Sequence, residues 1–291
     1  MITNSNPIGI FDSGVGGLSV WREIARQLPH EDTLYFADQI HIPYGPRSMA
    51  EIRSFSEAIT RFLIGRRCKL IVVACNTASA AALKYLRATF PDVPFVGMEP
   101  AVKPAAETTR TGVVGVMATP ATFQGELFAS VVERFANGVK LINQVCPGLV
   151  EQVEAGRLDT PDTLAMLDRF LTPIRDAHAD TIVLACTHYP FVIGPIRQLA
   201  PDVNVIDPAP AIARQAGRVL SERELLTRTR KPARHVFITS GDPDQYRATL
   251  QLLVGVDEEP VRATWNADQR MIQLRQEELQ QHGLNRSNSI A

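Results

Sequence analysis

Two cysteines with matching surroundings are the residues of this sequence best suited to do chemistry. Residues 69–77 read Lys-Leu-Ile-Val-Val-Ala-Cys-Asn-Thr, and residues 180–188 read Asp-Thr-Ile-Val-Leu-Ala-Cys-Thr-His. Cys75 and Cys186 therefore each follow an apolar run and precede small polar residues. One such cysteine would suggest a nucleophile, whereas two suggest a reaction that needs a thiol from each of two directions.

Proton transfer at a carbon centre explains such a pair well. A thiolate is an effective base, with an ordinary pKa of about 8.5 that a helix N-terminus or a neighbouring imidazolium lowers. A thiolate on one face of a carbon atom removes a proton, and a thiol on the other face returns one, which inverts a stereocentre. Hydrolysis fits less well, because it needs one nucleophile together with a histidine base and an oxyanion hole.

The residues near the two thiols leave several functions open. Asp12 and Ser13 follow an apolar run, and in open α/β sheets ligands bind beyond the carboxyl ends of the strands. We therefore expect these residues and both thiols to converge on one cleft. Asp12 either orients protons near Cys75 or caps the helix that begins near residue 15. His188 either polarises the Cys186 thiol, keeps it as the acid, or is an ordinary surface histidine.

The sequence gives little reason to expect a cofactor or a metal. Residues 14–17 read Gly-Val-Gly-Gly after a strand, but Ser19 takes the place of the third glycine of a dinucleotide-binding loop. No Walker A sequence is present, and no lysine has the setting of a pyridoxal-phosphate site. No Cys/His spacing is typical of zinc. We predict a cofactor-independent reaction without a metal.

Apolar runs that alternate with helix-like segments predict an α/β fold with mostly parallel sheets. The expected strands lie at residues 8–11, 33–36, 70–74, 95–97, 112–117, 140–145, 181–185, 203–206 and 235–239. The expected helices lie at residues 18–28, 48–64, 78–89, within 119–135, and at 149–156, 161–178, 189–199 and 244–253. The segment from about residue 268 is polar and is expected to be helical and then frayed.

Similar segments in the two halves suggest an internal duplication. After each Ala-Cys pair come a helix and then Pro-Asp-Val, at residues 91–93 and 201–203. We predict two pseudosymmetric α/β domains with the active site in the cleft between them. The first comprises residues 1–98 and 208–267, the second residues 99–207, and residues 268–291 form a C-terminal helix or tail.

The overall composition is typical of a globular protein. The chain has 291 residues, of which 45% are hydrophobic and 21% charged, and a net charge of −1. This charge gives no reason to expect nucleic acid or acidic membranes as partners. No signal-peptide pattern or membrane-length apolar run is present, so the protein is expected to be cytoplasmic.

Several short motifs together resemble those of the glutamate racemase family. They are residues 12–18 (Asp-Ser-Gly-Val-Gly-Gly-Leu), 43–45 (Pro-Tyr-Gly), 75–78 (Cys-Asn-Thr-Ala), 119–122 (Thr-Pro-Ala-Thr) and 186–190 (Cys-Thr-His-Tyr-Pro). The resemblance extends over about residues 8–255, with the motifs in the family's order and spacing.

The resemblance implies a cofactor-independent interconversion of L- and D-glutamate that supplies D-glutamate for peptidoglycan. It assigns the two acid/base roles to Cys75 and Cys186, with Asp12, His188 and Glu154 assisting. The small-molecule partner is glutamate, and a homodimer is compatible with the family. The implied substrate contacts are neutral donors and their neighbours: Asp12, Ser13, Tyr44, Gly45, Asn76, Thr77, Thr119, Thr187 and His188.

Two segments depart from the family pattern or leave its register open. Residues 37–40 read Ala-Asp-Gln-Ile, where the family more often has Gly-Asp-Thr-Ala, so that Gln39 changes the expected pocket edge. In the family an acidic residue assists the histidine, and the sequence register favours Glu154 for this role, with Glu151 as the alternative. The other interpretation of both glutamates is that they are solvated charges on a helix face.

Two other functions remain compatible with these motifs. A related racemase that acts on aspartate or a hydantoin would share both cysteines, although residues 44 and 187–188 favour glutamate. A catalytically silent regulator that binds glutamate or a protein partner would need neither thiol.

Overall fold

The computed structural model describes residues 3–274, and their strands form two sheets. In chain order the strands are β1 (Ile8–Asp12), β2 (Thr33–Ala37), β3 (Leu70–Val73), β4 (Phe95–Gly97), β5 (Val113–Ala118), β6 (Lys140–Val145), β7 (Thr181–Ala185), β8 (Asn204–Ile206), β9 (His235–Thr239), β10 (Val261–Trp265) and β11 (Ile272–Leu274).

Four neighbouring strands of the first sheet have the same order as the four described strands of the second. The described strands give the first sheet the order β11-β10-β9-β2-β1-β3-β4 and the second the order β6-β5-β7-β8. The run β2-β1-β3-β4 therefore matches β6-β5-β7-β8 strand for strand. All pairings are parallel except that of β10 with β11. The predicted fold class, two pseudosymmetric α/β domains with mostly parallel sheets, is confirmed.

Burial explains why the central strands are continuous apolar runs. All residues of β1, β2, β3 and β7 are buried, as expected for parallel strands covered by helices on both faces. The covering helices are α1 (Leu18–Gln27), α2 (Met49–Gly65), α3 (Asn76–Thr89), α4 (Val102–Thr108), α5 (Pro120–Gln124), α6 (Glu126–Phe135), α7 (Leu149–Glu154), α8 (Pro161–Asp176), α9 (Ile193–Leu199), α10 (Ala209–Glu222) and α11 (Pro243–Val254). Short 3₁₀ turns lie at Gln39–His41 and Tyr189–Val192.

The strands of the first sheet come from two separate parts of the chain, one before and one after the second sheet. β1 to β4 precede the second sheet, and β9 to β11 follow it and extend the first sheet beyond β2. The predicted return of residues 235–239 to the first sheet agrees with this pairing, because β9 lies beside β2 in parallel register. The residue limits given above for the two domains stay predictions.

The expected helix from residue 268 is wrong where the structure describes it. Ile272–Leu274 forms β11, antiparallel to β10, and Ile272 is buried in a hydrophobic core shared with residues of β1, β2 and β3. Met271, Ile272 and Leu274 are the apolar residues of this short segment. Three residues give too weak a periodicity to distinguish strand from helix. The remainder of the predicted tail, residues 275–291, lies outside the described residues. Helices α4 and α10 and strand β10 were not predicted.

Two predicted helices are divided. The segment 119–135 contains α5 and α6, which Gly125 separates, and the segment 189–199 begins with a 3₁₀ turn before α9. Within residues 3–274 no helix has the length and apolar character needed to cross a membrane.

A buried ion pair joins the start of β3 to the α1–β2 connection. The side chains of Lys69 and Glu31, 1% and 3% exposed, form an ion pair. Lys69 Nζ also donates to the carbonyl of Asn4 at 2.6 Å, and Glu31 accepts from the backbone N–H of Thr227 at 2.7 Å. Because both charges are shielded from water, each depends on the other.

We expect Lys69→Met to lower the free energy of unfolding by about 3–5 kcal/mol, because it leaves the Glu31 carboxylate buried without its counter-charge. The double variant Lys69→Met/Glu31→Leu should recover most of that loss. Lys84→Met is the matched control, because the Lys84–Glu126 pair is exposed and should contribute nothing measurable. Urea denaturation measures all three, and equal losses at positions 69 and 84 would contradict the assignment.

Candidate active site

The strand order brings the two thiols to facing edges. Cys75 follows β3 and is the N-cap of α3, whereas Cys186 follows β7 and precedes the 3₁₀ turn. β3 lies beside β1, and β7 lies beside β5, so the ends of these four strands supply the site. This is the edge at which open parallel sheets bind ligands.

Both thiols line one cavity of about 200 Å³. Most of the predicted site residues line it as well, although Asp12 and Glu154 do not. The lining residues come from strand ends, loops and helix N-terminal turns of both sheets: Ser13, Pro43, Tyr44, Gly45, Pro46, Cys75, Asn76, Thr77, Thr119, Pro120, Val145, Cys146, Pro147, Gly148, Val150, Glu151, Cys186, Thr187 and His188.

Cys75 lies in surroundings that favour the protonated thiol. Its sulfur is 3.9 Å from the hydroxyl oxygen of Ser13 and accepts a hydrogen bond from the backbone N–H of Ala78 at 3.4 Å. Burial and then the charge of Asp12 raise the pKa of Cys75 well above its ordinary value, and the charge of Cys186 acts in the same direction. The N–H of Ala78 only partly offsets them.

Asp12 has two different carboxylate oxygens. Oδ2 accepts from the backbone N–H of Gly17 at 2.9 Å and from that of Gly14 at 3.3 Å, which closes the loop before α1. Oδ1 is buried without a hydrogen-bond partner. Burial raises the pKa of Asp12, while His188, Gly17 and Cys75 act to lower it. One oxygen therefore holds the loop, and the other is left to accept a proton.

Cys186 faces an imidazole that a carboxylate holds. The Cys186 sulfur is 3.7 Å from His188 Nδ1, and His188 Nε2 is 2.7 Å from Glu154 Oε1. Burial acts to lower the pKa of His188, but its hydrogen bonds and charge interactions with Cys186 and Glu154 outweigh burial and hold that pKa well above the ordinary value. The histidine is therefore a buried group held between Cys186 and Glu154, not a surface group.

Of the two candidate glutamates, Glu154 is the one that touches His188. Its Oε1 also accepts from the backbone N–H of Val15 at 2.7 Å. Glu151, one helical turn earlier, is exposed and lines the cavity. Gly14 and Gly16 permit this approach of the first-sheet loop, since a Cβ atom on either would collide with Glu154 or His188.

The cavity is also lined by neutral polar groups. Both amide atoms of Asn76 are buried without hydrogen-bond partners. The hydroxyls of Thr77 and Thr119 lie 2.9 Å apart across the two sheets' loops. Tyr44 contributes its ring to the wall, because its hydroxyl donates to Asp38 Oδ2 at 2.6 Å.

Some residues at the site were missed from the sequence. Cys146 is not among the predicted site residues, yet it lines the cavity, and burial, together with the charge of Cys186, raises its pKa. Tyr189 is fully buried beside Cys186 and Cys146. Burial raises the pKa of Tyr189, and these two cysteines raise it further. A signal for Cys146 was present in the sequence, because residues 145–148 directly precede the helix that carries Glu154. Among residues 3–274 no group of three or more His, Cys, Asp and Glu side chains is arranged to hold a metal ion.

Comparisons with known proteins show which family the chain resembles. Residues 8–216 match the family model for Asp/Glu/hydantoin racemases. A glutamate racemase of Roseiflexus sp. is 52% identical over 252 residues, which cover 86% of this chain and 93% of the relative. The crystal structure of glutamate racemase isoform RacE1 from Bacillus anthracis superposes with a TM-score of 0.81 at 32% identity, covering 89% of this chain and 97% of that one. The glutamate racemase of Francisella tularensis, solved in complex with D-glutamate, gives 0.77 at 30% identity, covering 87% and 95%.

We expect Asp12→Asn to shift the alkylation of Cys75 by iodoacetamide to lower pH. The thiolate is the reacting species, and removing the neighbouring negative charge lowers the pKa of Cys75 toward its ordinary value. The rate at a fixed pH between 7 and 9 should therefore rise.

Site-resolved mass spectrometry of the quenched, digested protein separates Cys75 from the other cysteines. Cys68 is the internal control, because burial alone raises its pKa to about 12 without any influence of Asp12, and its alkylation should not change. An unchanged profile for Cys75, or a shift to higher pH, would contradict the assigned electrostatics.

Proposed function

Because the chain belongs to the Asp/Glu/hydantoin racemase family, we propose that it interconverts L- and D-glutamate without a cofactor, by proton transfer between two thiols. The observation that carries this proposal is the pair of cysteines lining one cavity from two sheets. The charge of one sulfur opposes ionisation of the other, because Cys186 contributes to the raised pKa of Cys75. A working pair therefore holds one thiolate and one thiol, as a two-base inversion requires.

In one direction Cys186 acts as the base. The His188 imidazolium stands beside its sulfur and stabilises a thiolate there, while Cys75 keeps its proton. The Cα–H bond of glutamate breaks as the Cys186 S–H bond forms. The Cys75 S–H bond then breaks and gives its proton to the opposite face of Cα.

The other direction needs a thiolate at Cys75, whose environment is less favourable. Asp12 Oδ1 is free to accept a proton, and the raised pKa of Asp12 increases its affinity for one. Cys75 then removes the α-proton, and the Cys186 thiol delivers its own. The two bases are thus equivalent in type and different in their assistance.

Neutral donors suit the binding of an acidic amino acid here. The N-terminus of α3 presents backbone N–H groups at Cys75, where a carboxylate is favourable. Asn76 offers an unpartnered amide, and Thr77, Thr119 and Thr187 line the same cavity. Donors to the α-carboxylate stabilise the carbanion as its charge spreads onto that group, most strongly where water is excluded.

The unequal surroundings of Cys75 and Cys186 can affect only some of the kinetic constants. L- and D-glutamate have the same free energy, so the equilibrium constant is 1 and kcat/KM is equal in both directions. Differences between the Asp12 side and the His188 side must therefore appear in kcat and KM separately, with compensating changes. We propose that the product D-glutamate serves peptidoglycan synthesis, as the family resemblance implies.

Incubation with single enantiomers of glutamate and of aspartate in D₂O tests this function. We expect racemisation of glutamate with deuterium incorporated at Cα, followed by circular dichroism and mass spectrometry. No exchange with either acid would contradict the racemase proposal, and turnover of aspartate alone would contradict the substrate.

Variants test the two-thiol step in the same assay. Cys75→Ala and Cys186→Ala should each abolish racemisation, since either loss leaves one face of Cα without its acid or base. Cys68→Ala is the matched control, because that thiol is buried away from the cavity. Full activity in either active-site variant would refute the mechanism.

A further inference from the structure

We propose that Gln39 is a positioning residue for the His188–Cys186 side of the reaction, holding the Glu154 carboxylate from the opposite sheet. This inference rests on the two-thiol racemisation proposed above. Gln39 lies in the 3₁₀ turn after β2, is half-buried, and does not line the cavity. It acts through Glu154 and touches neither thiol.

A continuous series of hydrogen bonds leads from the first sheet to Cys186. The Thr239 hydroxyl donates to Gln39 Oε1 at 2.7 Å, and Gln39 Nε2 donates to Glu154 Oε2 at 3.1 Å. Glu154 Oε1 accepts from His188 Nε2 at 2.7 Å, and His188 Nδ1 stands 3.7 Å from the Cys186 sulfur. The two ends of the series belong to different sheets.

The orientation of the Gln39 amide follows from Thr239. The Thr239 oxygen already accepts the backbone N–H of Gly241 at 2.9 Å, so its single hydroxyl proton is directed to Gln39. That proton needs the amide oxygen, which turns the NH₂ group toward Glu154. Gly241 also packs closely against Gln39, since a Cβ there would lie 2.9 Å from Gln39 Cβ. Packing and hydrogen bonding thus fix one amide orientation.

Glu154 needs these donors because it is little exposed. Its side chain is 14% exposed, and it accepts from His188, from the backbone N–H of Val15 and from Gln39. Val15 and Gln39 both belong to the first sheet's loops, and each holds a different carboxylate oxygen. A carboxylate fixed at both oxygens keeps the His188 ring oriented, with Nε2–H toward Glu154 and Nδ1 toward Cys186.

Two substitutions distinguish positioning from mere packing. Gln39→Met keeps the volume but removes the donor, and we expect kcat to fall by about 10- to 100-fold, the loss of one hydrogen bond to a charged group. Gln39→Glu places a second carboxyl group beside Glu154. The two can share one proton at low pH, but they repel once it is lost, so kcat should fall by about tenfold or more between pH 6 and 9 relative to the unaltered protein.

Matched controls use a surface glutamine of the second sheet's helices. Gln198 is exposed in α9, and Gln198→Met and Gln198→Glu should leave kcat and its pH profile unchanged. Thr239→Val frees the Gln39 amide to turn over and should also lower kcat. The double variant with Gln39→Met should be no worse than Gln39→Met alone, because both act through one contact. Unfolding midpoints measured in parallel confirm that each variant is folded.

The outcomes separate this inference from the proposed function. If the unaltered protein does not racemise glutamate, the proposed function is wrong. If it does, but the folded Gln39 variants behave like the Gln198 variants, the positioning assignment is wrong. Additive losses in the Thr239/Gln39 pair, or a Gln39→Glu pH profile parallel to that of the unaltered protein, would also overturn it. A new loss of kcat at high pH that is confined to Gln39→Glu would support it.

Discussion

Negative charge in a buried cavity is the constraint on which this site depends. Two thiols, the nearby carboxylates of Asp12 and Glu154, and an acidic substrate are brought together, whereas the basic side chain among the described cavity-lining residues is His188. Burial opposes every one of these charges. The backbone N–H of Gly17 donates to Asp12, and that of Val15 donates to Glu154. The N-terminus of α3 lies at Cys75. These three groups therefore each have their own backbone N–H donors.

The duplicated strand order explains why two thiols meet, and the loops explain why they differ. Cys75 and Cys186 follow corresponding strands in sheets of the same order. Their partners are not duplicated, because Asp12 serves the first and the His188–Glu154 pair serves the second. The first sheet's glycine loop also packs against His188, so each thiol's surroundings depend on both sheets. The relative placement of the two sheets therefore determines the surroundings of both proposed bases.

Much of the fold could be predicted because parallel strands buried on both faces are continuous apolar runs. The elements α4, α10, β10 and β11 were missed. α4 and β11 are short, whereas α10 is a 14-residue amphipathic helix whose pattern was present in the sequence. At the site, the motifs indicated which residues converge but not how deeply each lies. Asp12 lies behind the cavity wall and Tyr44 has its hydroxyl turned to Asp38, since hydrogen-bond partners distant in sequence decide these orientations.

The sequence by itself determined the two thiols, their matched strand ends and the α/β architecture, because local apolar periodicity and short motifs encode them. Only the tertiary structure decided between Glu151 and Glu154 as the contact of His188, and only it brought Gln39 to Glu154. Glu151 and Glu154 occupy one short helix, and residue type does not distinguish them. The choice depends on which carboxylate the other sheet's N–H groups reach, and that distance exists only after the two sheets have packed together.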